Sequence, residues 1–157
     1  MMYGTAILLA AVLGADEQAL DDASVRKLLA RVLEMENYEV VLAGTGREAL
    51  SRFRADPPDL VMLDLNMPEL NGWQALEHLR SSGATPPVII MTGNPYQSAR
   101  AVQAGANALI EKPLHLPLLL KTIDELLVGS ATAWSLPALA AARTHSGAPV
   151  YGWRRVE

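Results

Sequence analysis

The sequence predicts an α/β fold in which helices cover both faces of a parallel sheet. Short apolar runs bounded by Pro or Gly are typical of strands buried on both faces, and the clearest are residues 60–63 and 88–91. Segments with apolar residues at helical spacing alternate with such runs, as expected for parallel strands joined by helical crossovers. Because these crossovers are right-handed, few topologies remain. We predict a flavodoxin-like, doubly wound sheet of five strands in the order 2-1-3-4-5.

The first long helix is predicted over residues 23–36, where apolar side chains recur on one face and Asp21, Asp22 and Ser24 supply start signals. Each following strand then alternates with a helix, and the links are short. The predicted elements are, in order, strand 38–43, helix 47–55, strand 60–64, a helix from Gly72 to Arg80, strand 88–91, helix 97–104, a weak strand 106–110 and helix 116–127.

The first strand is harder to place. Residues 16–19 precede the first helix, but they read Asp-Glu-Gln-Ala, and a buried central strand would hold these charges only at high cost. Either the apolar run 7–13 supplies the strand and residues 14–20 form an inserted loop or extra helical turn, or the strand is displaced or lost. We expect the first arrangement, because losing a central strand would leave the backbone groups of both neighbours unpaired.

Length and composition limit the class of protein. A chain of 157 residues forms one domain, and we divide it into an atypical segment 1–20, a domain 21–129 and a tail 130–157 with a short helical stretch at 136–143. We expect the tail either to pack on the domain through its aromatic residues or to be disordered.

The net charge of −4 argues against a nucleic-acid surface. Cys is absent, and the apolar run 6–13 is too short for a membrane span and has no basic residue before it, so we expect a cytoplasmic protein.

Three strands of the predicted sheet end in polar side chains. Asp64 follows the run 60–63, Thr92 follows 88–91, and Lys112 follows the weak fifth strand. In open α/β sheets the carboxyl ends of the strands bind ligands. A carboxylate there can bind Mg²⁺ or act as a nucleophile that forms an aspartyl phosphate, which a lysine and a hydroxyl would stabilise. Taken alone, Asp64 could instead only cap a turn.

Four motifs in a characteristic order strengthen the functional interpretation. They are Asp21-Asp22 before a helix with Val25-Arg26, Leu63-Asp64-Leu65-Asn66-Met67-Pro68 with Gly72, Met91-Thr92-Gly93, and Glu111-Lys112-Pro113. Through these motifs residues 21–128 resemble the receiver domain of two-component response regulators. The resemblance implies a stand-alone receiver domain that acts in phosphorelay signal transduction.

The resemblance also implies a role for each strand end. Asp64 would accept a phosphoryl group from a histidine kinase or phosphotransfer protein, Thr92 would hydrogen-bond that group, and Lys112 would pair with it. Asp21, Asp64 and the backbone carbonyl of Asn66 would hold Mg²⁺. Phosphorylation would switch a surface formed by the last two helix–strand units, which an output protein or a second copy would read. The chain would then be a signalling phosphoacceptor with weak autophosphatase activity at most, not a metabolic enzyme, and would bind neither nucleic acid nor membrane.

Two positions depart from the family pattern. Leu20 stands where the family carries an acidic residue, which leaves Asp22 or Asp16 as alternative metal ligands. Leu109 replaces the aromatic residue that the family usually has three residues before the lysine. Both departures leave open a degenerate pseudo-receiver, a binding module that works without phosphorylation. A phosphohydrolase is disfavoured, because Asn66 cannot serve as the general acid that such an enzyme needs two residues after its nucleophile.

Overall fold

The computed structural model describes residues 5–10, 22–67, 69–83, 86–94, 96–129, 140–143 and 149–152. Strands and helices alternate through most of this length, and two further strands follow the last helix. The elements are β1 Thr5–Ala10, α1 Asp22–Met35, β2 Tyr38–Ala43, α2 Gly46–Ala55, β3 Leu60–Asp64, α3 Gly72–Ser81, β4 Val88–Thr92, α4 Ser98–Ala104, β5 Ala108–Glu111, α5 Leu116–Gly129, β6 Ala140–Arg143 and β7 Pro149–Gly152.

The first five strands form a parallel sheet in the order β2-β1-β3-β4-β5, which confirms the predicted flavodoxin-like topology. The central strand β1 comes from the apolar amino-terminal run and begins two residues before it. Ile7 of β1 is fully buried and is in register with Val40 of β2 and Leu60 of β3. The alternative of a lost first strand is therefore wrong. Residues 11–13 of the predicted strand lie outside the described residues.

The sheet separates two apolar cores, because alternate residues of each strand point to opposite faces. In β3, Val61 and Leu63 pack on the side of α2, α3 and α4, whereas Leu60 and Met62 pack on the side of α1 and α5. All five residues of β3 are buried, as expected for a central parallel strand. Burying each large apolar side chain contributes about 1.5–3 kcal/mol, and this stabilisation holds the strand ends in place.

The region after α5 differs from the expectation of a short helix. Ala140–Arg143 is a strand, β6, which pairs antiparallel with β7, and β7 pairs antiparallel with β5 through Leu109 and Tyr151. The sheet order is thus β2-β1-β3-β4-β5-β7-β6. Without β7, the outer edge of β5 would present unpaired backbone groups, whereas an isolated helix of eight residues is marginal in water. Edge pairing therefore outweighs local helix preference here.

A membrane span is not found in the described part of the chain. None of its helices combines the length and the apolar character that a bilayer crossing requires.

Candidate functional site

The polar ends of β3, β4 and β5 lie side by side at one edge of the sheet. β3 ends at Asp64, which is in register with Met91 of β4. Thr92 ends β4 and is in register with Glu111, the last residue of β5, so Lys112 follows directly beside it. The backbone N–H of Lys112 donates to the carbonyl of Thr92 over 2.8 Å. The structure thus brings together Asp64, Thr92 and Lys112, the residues that the sequence singled out.

The Asp64 carboxylate is fully buried, and protein donors bind both of its oxygens. The ammonium of Lys112 forms an ion pair with Oδ2, and the backbone N–H of Asn66 donates to Oδ1 over 2.9 Å. Only 16% of the Lys112 side chain is exposed. A buried carboxylate would be strongly destabilising without such partners, so these contacts compensate the burial of the Asp64 charge.

The loop after Asp64 is held close to the strand that it leaves. The N–H of Gly72 donates to the carbonyl of Leu65 over 3.3 Å, and a Cβ at position 72 would lie 2.5 Å from the carbonyl oxygen of Asp64. Only glycine fits there. The next helix begins at a capping box, in which Asn71 and Gln74 satisfy each other's backbone N–H groups. These contacts hold the two ends of the loop, at Leu65 and Gly72, close to the end of β3.

Thr92 is buried, and its hydroxyl is engaged with the following loop. Oγ1 accepts from the backbone N–H of Asn94 over 3.0 Å and donates to the Asn94 carbonyl over 3.2 Å. To donate to a group on Asp64, the hydroxyl would have to release the Asn94 carbonyl. Asn94 was missed by the sequence reasoning, although a Thr followed by Gly-Asn is typical of such a side-chain turn.

Two of the predicted oxygen donors for a divalent cation, the Asp64 carboxylate and the backbone carbonyl of Asn66, belong to the last residue of β3 and to the loop that follows it. Within the described residues, no three His, Cys, Asp or Glu side chains come together as metal ligands. Asp16 and Asp21 lie outside the described residues, and so does the side chain of Asp22, whose backbone begins α1. Carboxylate and carbonyl oxygens are the donors that Mg²⁺ prefers, so the described part of the site fits that ion.

β1 ends at the same edge of the sheet as Asp64, because Ala10 is in register with Leu63, the residue before Asp64. Asp16 and Asp21 follow β1 in the sequence.

Leu109 occupies a core position of β5. Its side chain is fully buried in the core between the sheet and α2, α3 and α4, and it is in register with Ile90 of β4. A leucine there fills space in the core, but it offers no ring or hydroxyl that could report on the state of Thr92.

Comparison with known proteins agrees with this geometry. A profile of the family described as the response regulator receiver domain matches residues 19–124. The response regulator MprA of Mycolicibacterium vanbaalenii is 40% identical over 109 residues, which are 68% of this chain and 47% of the relative. MprA of Mycobacterium leprae is 39% identical over the same length, 48% of that protein. The chain thus spans about half the length of these curated relatives.

Solved structures share the fold over nearly their whole length. The receiver domain of the Francisella response regulator 1452 superimposes with a TM-score of 0.72 at 21% identity, covering 81% of this chain and 99% of that one. A CheY-like receiver domain protein from Methanospirillum hungatei gives 0.69 at 28% identity, with 82% and 98% coverage.

Proposed function

The chain belongs to the response regulator receiver domain family, and from this premise we propose that Asp64 is a phosphoacceptor whose phosphorylation requires Mg²⁺. The observation that carries the proposal is the fully buried Asp64 carboxylate, which is paired with Lys112 at the carboxyl edge of the parallel sheet. A charged oxygen next to a fixed ammonium matches the demands of phosphoryl transfer, in which positioning and electrostatic stabilisation do most of the work.

In the proposed reaction, a carboxylate oxygen of Asp64 attacks the phosphorus of a phosphohistidine. The new O–P bond makes an acyl phosphate, the P–N bond breaks, and the leaving imidazole takes up a proton. Lys112 stabilises charge on the phosphoryl oxygens, because its ammonium already contacts the reacting carboxylate. Asp64 and the Asn66 carbonyl, with an acidic side chain among Asp16, Asp21 and Asp22, would hold the Mg²⁺. Bound there, that ion would neutralise phosphoryl charge.

The response to phosphorylation follows from the contacts of Thr92. A phosphoryl group on Asp64 offers the Thr92 hydroxyl a stronger acceptor than the Asn94 carbonyl. Release of that carbonyl would free the loop that leads into α4, and the surface made by α4, β5 and α5 would change. With Leu109 in the core, this loop carries the signal in place of an aromatic side chain.

The partners follow from the same reaction. We propose that a histidine kinase or a phosphotransfer protein donates the phosphoryl group in the cytoplasm and that an output protein or a second copy reads the switched surface. The chain is then the acceptor in the transfer, with weak autophosphatase activity at most.

Phosphorylation by a small donor tests the proposal directly. The full chain is incubated with acetyl phosphate and Mg²⁺, and the intact mass is measured with and without a chelator. We expect one added phosphoryl group that depends on Mg²⁺ and disappears in Asp64→Asn. The matched control Asp56→Asn changes an exposed carboxylate at the end of α2 and keeps the adduct. An unmodified wild-type chain, together with no response to beryllofluoride, would instead identify a pseudo-receiver.

A further inference from the structure

A groove between α2 and α3 is a second feature with a chemical character of its own. Its volume is about 440 Å³, and it opens on the face of the sheet opposite α1 and α5. The groove is lined by Arg47, Leu50, Ser51, Arg54, Leu70 and His78. The phosphotransfer chemistry proposed for Asp64 uses none of these side chains.

The charge of this groove is opposite to that of the chain. Helix α2 carries three arginines and one glutamate, a net of +2, whereas the chain carries −4. Arg52 is already held by Glu48 over 2.8 Å. Arg47 forms a long ion pair of 3.8 Å with Glu69, and more than half of each side chain is exposed. Within the described residues Arg54 has no ion pair. An anionic partner would therefore find Arg54 unpaired and would compete for Arg47 only with an exposed, weakly held carboxylate.

The position of Arg47 has no explanation within the helix itself. It lies in the first turn of α2, where the partial positive charge of the helix end disfavours a cation. Arg54 lies in the last turn, where the same dipole favours it. Since both arginines line one groove, an external anion between them would be attracted to both guanidinium groups.

The floor of the groove is apolar and preformed. Leu50 and Leu70 are partly buried and pack against the core beneath them. The first turn of α2 lies so close to the loop that a Cβ on Gly46 would come within 2.2 Å of the Leu70 carbonyl oxygen. This close contact sets the distance between Leu70 and α2. An apolar side chain that enters the groove would therefore pack against a surface that is already formed.

We propose that this groove docks an acidic segment of a partner protein. One apolar side chain of that segment seats between Leu50 and Leu70, and flanking carboxylates pair with Arg47 and Arg54. The contacts need no phosphoryl group on Asp64, so the docking and the phosphoacceptor function succeed or fail independently.

Titration of a peptide probe into the isotopically labelled full chain tests the docking, with backbone amide shifts as the readout. The probe is a blocked synthetic peptide in which one Leu is flanked by Asp and Glu residues. We expect shifts confined to α2, α3 and the loop between β3 and α3. Arg47→Glu with Arg54→Glu should weaken binding about tenfold or more, because both carboxylate contacts become repulsive. Lys27→Glu with Arg31→Glu, an equal charge change on exposed positions of α1, should weaken it about twofold at most.

Further measurements distinguish an acidic peptide from other possible ligands of the groove. A peptide with Gly in place of the Leu should bind several-fold more weakly, and the milder pair Arg47→Gln and Arg54→Gln should fall between wild type and the charge reversals. Equal binding of the Gly peptide, shifts elsewhere on the surface, or no shifts at millimolar peptide would overturn the proposal. So would a stronger response of the groove to inorganic phosphate or a short RNA, or self-association of the chain through it.

Discussion

The ion pair between Asp64 and Lys112 should make a measurable contribution to the free energy of unfolding. Lys112→Met keeps an unbranched apolar side chain of similar shape but removes the ammonium, which leaves a fully buried carboxylate without its ion-pair partner on Oδ2. Breaking a buried pair from one side typically costs about 3–5 kcal/mol. The N–H of Asn66 still donates to Oδ1, and 16% of the lysine side chain is exposed. We therefore expect Lys112→Met to lower the free energy of unfolding by about 3 kcal/mol, the lower end of this range.

The complementary variant, Asp64→Asn, should lose less stability than Lys112→Met. Asp64→Asn keeps the shape of the side chain and removes its charge, and the Lys112 ammonium can turn towards water along its partly exposed stem. We expect a loss of about 1 kcal/mol or less. The double variant, which combines Asp64→Asn with Lys112→Met, buries no charge at either position and should recover most of the stability that Lys112→Met loses.

Urea unfolding of the four proteins, followed by circular dichroism at neutral pH, measures these differences. An unchanged urea dependence across the set would show that only stability has changed. A loss of less than about 1 kcal/mol in Lys112→Met, or a loss in the double variant equal to the sum of the two single losses, would show that the ion pair does not stabilise the fold in this way.

Two further predictions concern the loop after Asp64 and the start of α2. Gly72→Ala should lower the free energy of unfolding by about 2 kcal/mol or more in urea, because its Cβ would lie 2.5 Å from the Asp64 carbonyl, whereas Gly93→Ala, with no atom within 4 Å, should stay within about 0.5 kcal/mol. The N–H of Gly44 and the Arg52 guanidinium lower the pKa of Glu48, so its stabilisation is present above its ordinary pKa of 4.5 and is lost as the pH falls through its lower folded value. The stability difference between wild type and Glu48→Gln should therefore shrink below pH 4.5, and a constant difference would contradict this origin.

The strand ends of the site were predictable because they depend on local patterns. Buried parallel strands appear as continuous apolar runs, and their carboxyl ends share one edge, so Asp64, Thr92 and Lys112 could be brought together without coordinates. The partner of Thr92 could not be assigned in the same way. Whether its hydroxyl faces Asp64 or Asn94 is a choice of rotamer and loop conformation, which the surrounding packing makes.

The sequence by itself determined the alternating α/β order, the sheet topology and the chemistry of the strand ends, because these follow from periodicity and from the residue that ends each run. Pairing in the folded sheet settled the rest. Two arrangements of the first strand were compatible with the sequence, and pairing with β2 and β3 selects the expected amino-terminal run, Thr5–Ala10. Ala140–Arg143 joins the sheet although its composition favours a helix. Strand pairing depends on the unpaired edges of distant neighbours, and a local pattern does not contain that information.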